Sequence, residues 1–331
     1  MAIDLTAPAD PAEDRPRAIS RRASGSDLAF RNGVRLAGLL VLALTGLIAA
    51  FLIVRGASAL HAIGWRFLTN TQWLLYGNKL GVGAILPDTI IIAFIALLIA
   101  VPVALLAALF ISEYAPYGLR RPLIALIDLM AAIPSILYGL WGFFWLMPKF
   151  IGTGRWVSDY LGFIPFLKVP GAYQPSNFEN STLLAAVVVS LMVVPIIASI
   201  SRDVFSQAPQ GEREAAYALG STRWGMIRTV VLPYGRGGVI GAVMLGFGRA
   251  MGETIVVALI LSQVFDIVTH PLQSGGNSIA ALIAQDAGES SPFMISALIA
   301  AGLVLFVVTL LVNAIAAVIV SRSRSGQQTA D

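Results

Sequence analysis

Residues 209–233 read PQGEREAAYALGSTRWGMIRTVVLP, and this stretch decides the fold. It is polar at its start and sits between two long apolar runs. Pro209 suits the first turn of a helix. Glu212 and Glu214 follow, favourable near the positive end of a helix dipole. Ala215, Ala216, Ala218 and Leu219 are good helix formers with a small apolar face. Gly220 fits the left-handed residue that closes a helix. Ser221 or Thr222 can cap a second short helix from Arg223 to Thr229, and Pro233 ends the segment. The first helix is too short to be stable alone in water. It must pack on something, either its own bundle or a cleft on a partner.

What surrounds it is membrane. The chain has 331 residues, 57% hydrophobic and 12% charged, with a mean hydropathy of +0.81. Soluble domains carry about 25% charged residues. Half that density cannot coat a water-facing surface, which excludes a soluble enzyme. Six apolar runs, near 33–60, 84–112, 122–147, 182–201, 236–264 and 293–320, each meet the ~20 residues a span needs. The first is too long for a signal-peptide core and reads as an uncleaved span. Pro102 and Pro195 fall inside runs two and four and suggest kinks supported by neighbouring helices. Residues 1–32 are polar, lack apolar periodicity and read as a disordered tail; 321–331 form a second tail.

Fifteen Arg residues fall before span one, between spans two and three, between four and five, and after six, against 6 Lys or Arg on the other side. The positive-inside rule then puts both termini in the cytoplasm, which agrees with an even number of spans. The outer loop 148–181 is long and carries Trp156, Tyr160, Phe163, Phe166 and Tyr173. These aromatics either lie at the bilayer interface, where Trp and Tyr gather, or dock a partner. The chain has no Cys, and His61 and His270 are its two histidines, so Cys-ligated metal sites are excluded and a His-rich one is disfavoured. It has no Gly-Lys dipeptide, hence no phosphate-cradling loop of the ATPase kind.

Span five contains Gly248-Arg249-Ala250-Met251-Gly252-Glu253-Thr254. Arg249 falls near the middle of the run, where a charge costs roughly 2.5–3.5 kcal/mol on insertion scales. Its i,i+4 spacing predicts that Arg249 and Glu253 share a helix face. One reading is a structural ion pair, although buried pairs are weak stabilisers. The other is a polar pathway, since guanidinium presents a donor fork that fits tetrahedral oxyanions. Glu253 would then compensate Arg249 between substrates. Gly248-x-x-x-Gly252 and Gly237-x-x-x-Gly241 fit close helix packing. Asp128 is expected to pair with Arg120, Arg121 or another cation at that end of the span. Pro134 interrupts span three and frees a carbonyl. Ser135 and Tyr138 either meet substrate or repair the helix hydrogen bonding.

Glu214-Ala215-Ala216, then Gly220, then Val230-x-Leu232-Pro233 resembles the EAA loop of ABC importer permeases in every spacing, with Val230 in place of Ile. The resemblance implies an all-α integral membrane protein with the six transmembrane helices of the type I ABC importer permease fold. It implies that Glu214, Ala215, Ala216 and Gly220 couple the chain to ATP-binding subunits. ATP and Mg would belong to those subunits, with no cofactor, metal or catalytic residue in this chain. Gly248–Thr254, with Ile133-Pro134-Ser135-x-x-Tyr138-Gly139-Leu140 and Phe110–Pro116, is similar to the phosphate-specific permeases, and of the two sister types more to PstC. The likeness covers roughly 34–320 and departs around Gly81–Asp88. It implies a phosphate path lined by Arg249 and Glu253 in the bacterial inner membrane. The implied partners are a sister permease, two ATPase subunits, an extracytoplasmic phosphate-binding protein and lipid, without nucleic acid. A permease for sulfate or molybdate, a passive anion channel and a membrane-embedded enzyme are the competing readings. The last lacks Cys, clustered His and paired acids for its chemistry.

Overall fold

The computed structural model describes residues 25–74, 79–169, 174–289 and 291–324. Residues up to Ala50 form one compact unit and those from Phe51 onward another. The described part of the first is the beginning of α1 (Gly25–Ile63), apolar on all sides through Leu36, Leu40, Val41, Leu44 and Leu47. A helix apolar all round belongs in lipid or in a large core. The sequence predicts a structureless tail through residue 32, but α1 already begins at Gly25, with Asp27 in its first turn. Extending an existing helix is cheap compared with nucleating one, and the acid suits the dipole. Residues 1–24 lie outside the described part. At the other end, α13 (Pro292–Arg324) runs into the expected tail, and 325–331 lie outside the described part.

In the second unit, α1 ends and is followed by α2 (Arg66–Thr69) and a two-rung hairpin, β1 (Trp73–Leu74) against β2 (Lys79–Leu80). Then come α3 (Ile85–Leu109), closing in a π-helical turn at Phe110–Tyr114, α4 (Tyr117–Ala132) and α5 (Ser135–Trp141). A second π-helical turn at Gly142–Leu146 leads into α6 (Met147–Tyr160). α7 (Thr182–Ser206), α8 (Gln210–Ala218), α9 (Arg223–Met226), α10 (Leu232–Met251), α11 (Ile255–Ile260) and α12 (Ile279–Asp286) complete the order before α13. Among the described residues, five helices are long and apolar enough to cross a membrane: Gly25–Ile63, Ile85–Tyr114, Thr182–Ser206, Arg223–Met251 and Pro292–Val320. The span over 122–147, expected to be interrupted at Pro134, is a pair bent by 88° between Tyr117–Ala132 and Ser135–Tyr160. Ile133 and Pro134 are extended there, with ψ of 127° and 137°. Proline lacks the donor and drives its predecessor out of helical ψ. The outer loop expected from 148 is therefore helical as far as Tyr160.

Span five is corrected at both ends. The cytoplasmic helix expected over 223–229 does not stop at Pro233. α9 continues through a π-helical turn, Ile227–Val231, into α10, and Pro233 sits in the first turn of α10. A π-turn lets the ladder absorb a missing donor. At the far end the helix stops at Met251, and Gly252, Glu253 and Thr254 separate it from α11.

The frame of the second unit is α3 against α7, with α10 alongside. Ala93, Ala96, Ala100, Ala104 and Ala108 form a fully buried stripe down α3. Small side chains let helix backbones approach closely, and van der Waals packing then supplies the association. α7 answers with Leu184, Val188, Val193 and Ile197. The hydroxyl of Ser181 accepts from Leu184 N at 3.3 Å and caps α7. Where the sequence predicts close packing at Gly241, Gly248 and Gly252, an added Cβ at Gly241 or Gly248 would meet nothing within 4 Å, and at Gly252 only its own preceding turn. The intimate glycines are Gly235, Gly238 and Gly246, which face Phe205, Val204 and Val193 of α7. α10 thus has one face closed on α7 and another open.

Gly246→Val should destabilise the chain by roughly 1–3 kcal/mol, because its side chain would overlap Val193 and Ile197. Gly241→Ala should stabilise it by about 0.5–1 kcal/mol through helix propensity. Unfolding of the purified chain in detergent reads both, and equal effects would mean the two faces are misassigned.

Candidate functional site

Two interrupted spans meet in this bundle. α5 follows the break at Pro134 and α11 follows the break at Gly252–Thr254, and the two short helices pack on each other. Gly139 makes this possible: a Cβ there would lie 2.8 Å from Leu259 and 3.4 Å from the Val256 backbone. Gly142 likewise sits against Val188 and Ile260. Non-helical backbone at membrane depth is tolerated where it is buried in protein or lines a watery cavity. Paired breaks therefore mark this region as the functional candidate.

The loose backbone groups find partners. Pro134 leaves the carbonyl of Met130, four residues earlier, without its helical donor. The Tyr138 hydroxyl donates to that carbonyl at 2.9 Å. Of the two alternatives for Tyr138, the repair of the helix is realised. Ser135 stands at the start of α5, half-buried. At the second break, Glu253 is 8% exposed and its carboxylate accepts from Val256 N at 3.4 Å. It thus caps α11. The other end of α11 is held by the side-chain amide of Asn180, which donates to Ile260 O at 2.6 Å. Gln285 donates to Ala258 O at 3.1 Å.

Arg249 lies in the last turn of α10, and its side chain is exposed on the open face. Its position near the C-terminal end of the helix is favourable for a cation. The unbroken i,i+4 face expected for Arg249 and Glu253 does not exist, because the helix stops between them. Among the described residues the direct ion pairs are Arg202–Asp203 and Arg213–Glu113, so Arg249 and Glu253 are not joined. No direct ion pair joins these two residues here. Gly241, Leu245, Arg249 and Gly252 are all exposed and recur at helical spacing, so the guanidinium sits in an open stripe of mostly small residues.

The segment around residue 214 folds as its spacing predicts, up to its junction with α10. α8 starts after Pro209, and Gly220 adopts φ +79°. Thr222 Oγ1 accepts from Gly225 N at 3.1 Å and caps α9. Glu214, Ala215 and Gly220 are exposed and Ala216 is half-buried. Glu214 accepts from Gln210 Nε2 at 2.9 Å. Leu219 is 89% exposed, and Tyr217 and Trp224 are exposed beside it. This apolar surface is unusual for a water-facing turn.

Several contacts here are absent from the sequence reading. Arg120 does not pair with Asp128, which is exposed; it donates to the carbonyls of Ile111 (2.9 Å) and Ser112. Arg213 grips Glu113 across 100 positions. Asn180 reaches Ile260 across 80. No local pattern signals either partner.

Comparison with known proteins fits this architecture. Residues 100–325 match the family model described as binding-protein-dependent transport system inner membrane component. The chain is 41% identical over 310 residues to the phosphate transport system permease protein PstC 2 of Mycobacterium bovis, covering 92% of this chain and 95% of the relative. It is 42% identical over 268 residues to the PstC of Xylella fastidiosa (81% and 82%) and 40% identical over 286 to that of Haemophilus influenzae (86% and 89%). A solved bacterial ABC transporter for the acidic polysaccharide alginate contains a chain with TM-score 0.52 and 18% identity, covering 89% of this chain and 99% of that one. At that identity the likeness shows the fold alone.

Tyr138→Phe should leave the Met130 carbonyl unsatisfied and cost about 1–3 kcal/mol. Thermal unfolding of the purified chain checks this, and an unchanged midpoint would mean the hydroxyl is not the partner that holds the bend.

Proposed function

Because the chain belongs to the binding-protein-dependent inner membrane components, and among them to the PstC-type permeases of phosphate transport, we propose that Arg249 is its transient phosphate contact. The chain is a multi-pass inner-membrane subunit of a phosphate ABC transporter and is not its ATPase. Such a component works with a binding protein and with ATPase subunits.

The observation that carries the assignment is the placement of Arg249. It is the exposed charge on the open face of α10, one turn before the break that Glu253 caps. A guanidinium with free donors offers phosphate oxygens a bidentate, charge-assisted contact. One such contact is weak enough to release, which a path requires. Glu253 is a positioning residue in this scheme. It fixes the break and weakens the field of Arg249 without neutralising it by direct contact. Ser135, at the facing break, is the hydroxyl proposed to complete the path, and Tyr138 holds the bend that presents it.

One chain supplies one wall. The open stripe of Gly241, Leu245, Gly248 and Gly252 is proposed to meet a sister permease of similar fold across the path. α8, with exposed Leu219 and Tyr217, is proposed to seat in a cleft of an ATPase subunit, one for each permease, with Glu214, Ala215, Ala216 and Gly220 forming the contact and its turn. ATP and Mg bind in those subunits. The basic ends of the spans put α8 and both termini on the cytoplasmic side. Binding protein delivers phosphate from outside, ATP closes the paired ATPases, and α8 carries that movement to the spans.

ATP-driven uptake of labelled phosphate into vesicles bearing the assembled complex tests the site. Arg249→Gln should lower uptake roughly tenfold or more, the scale of one lost charge-assisted contact, with assembly intact. Excess sulfate should not compete. Undiminished uptake in the variant would remove Arg249 from the path.

A further inference from the structure

Arg213 precedes Glu214 on α8, and its guanidinium is fully engaged within the chain. Nη1 donates to both carboxylate oxygens of Glu113, each at 2.9 Å. Nη2 donates to Phe205 O at 2.6 Å and Nε to Ala208 O at 3.1 Å. Phe205 lies in the last turn of α7, where carbonyls lack intrahelical donors, and Ala208 lies just beyond the helix. Glu113 belongs to the π-helical turn that closes α3. Its side chain is 5% exposed and that of Arg213 is 19% exposed. One side chain of α8 therefore holds the ends of both α3 and α7.

The same turn is gripped from two other directions. Arg120 of α4 donates to the carbonyls of Ile111 and Ser112. The guanidinium of Arg223, at the start of α9, lies 5.2 Å from the centre of the Tyr114 ring, within cation–π range. A π-helical turn is a weak point in a helix and recurs at functional sites. Here it is clamped by three arginines from three segments, two of which flank the Gly220 turn. Below it, α3 and α7 are packed together along the alanine stripe. Beyond that pair stands α10, closed on α7 through Gly235, Gly238 and Gly246.

From this geometry we infer that the Arg213–Glu113 pair is the joint through which α8 drives the α3–α7 frame during transport. The inference rests on the reading of α8 as the ATPase contact and goes beyond it. Neither residue touches phosphate or nucleotide, and both are positioning residues. A planar guanidinium whose three nitrogens are each held, one by Glu113 and two by backbone carbonyls, transmits direction as well as force, which a single point charge does not. Most surface ion pairs do little. This one is partly buried, with Nη1 shared between both carboxylate oxygens and the other two nitrogens tied to backbone carbonyls.

The test uses the complete complex in vesicles, with ATP hydrolysis and phosphate uptake measured together, with and without phosphate-loaded binding protein. In Glu113→Gln, hydrolysis without binding protein should match wild type. Its stimulation by binding protein should vanish, and phosphate moved per ATP should fall roughly tenfold or more. Glu113→Asp, which keeps the charge, should restore most of that ratio. If Glu113→Gln assembles poorly, Arg213→Lys takes its place, because it keeps the charge and loses the fork. An unchanged ratio of phosphate to ATP in the assembled variant overturns the inference, as does a parallel fall in both rates. Leu219→Glu separates this from failure of the α8 reading. If the ATPase subunits copurify with Leu219→Glu as with wild type, α8 is not their seat and both readings fall. If they are lost there but retained in Glu113→Gln with an unchanged ratio, only the joint fails.

Discussion

A backbone polar group inside a bilayer must find its partner within the protein, and the arrangement of this chain depends on that demand. Two of its spans are interrupted, one by Pro134 and one by Gly252–Thr254. Each interruption exposes donors and acceptors that hydrocarbon cannot satisfy. The Tyr138 hydroxyl, the Glu253 carboxylate and the Asn180 amide take them up. Because these partners are side chains with fixed reach, they also fix where α5 and α11 lie. The two breaks then fall against each other, and Arg249 is carried to an open face.

The rest of the second unit packs around this region through close helix contacts. Hydrophobic burial does not hold helices together in lipid, since lipid is as apolar as a leucine side chain. Close approach does, and the buried alanines of α3 and the inward glycines of α10 provide it. α7 is the common neighbour of both. A body packed in this way transmits displacement with little loss, because dense interiors are hard to compress.

Much of the site was legible in the sequence for a physical reason: some constraints are local. The helix signals from Pro209 to Gly220 act within one or two turns, and α8 and its closing turn form where they predict. A proline removes a donor wherever it stands, so the break at Pro134 and its freed carbonyl were foreseeable. The junction into α10 was not. Pro233 stops a regular helix, but a π-helical turn absorbs it, and whether that happens depends on packing against Phe205 and Val204. The rod expected over 236–264 failed similarly. Gly252 permits a break without requiring one, and the break exists because Glu253, Asn180 and Gln285 stabilise a separate α11. The glycine pairs show the same limit. Spacing places residues on one face of a helix, but it does not say whether that face meets a helix of the same chain.

The sequence by itself determined that this is a membrane protein, roughly where it crosses, and where the short helix α8 and its closing turn form. Hydropathy, charge asymmetry and helix-terminal chemistry are sums over neighbouring residues, so they can be read along a line. Only the tertiary structure decided that Arg249 stands free while Glu253 is turned to backbone. It alone brought Glu113 to Arg213, and it alone separated the closed face of α10 from the open one. These are matters of distance between residues far apart in the chain. In a bilayer such distances are set by which backbones come close and which loose hydrogen-bonding groups must be met, and no local pattern contains them.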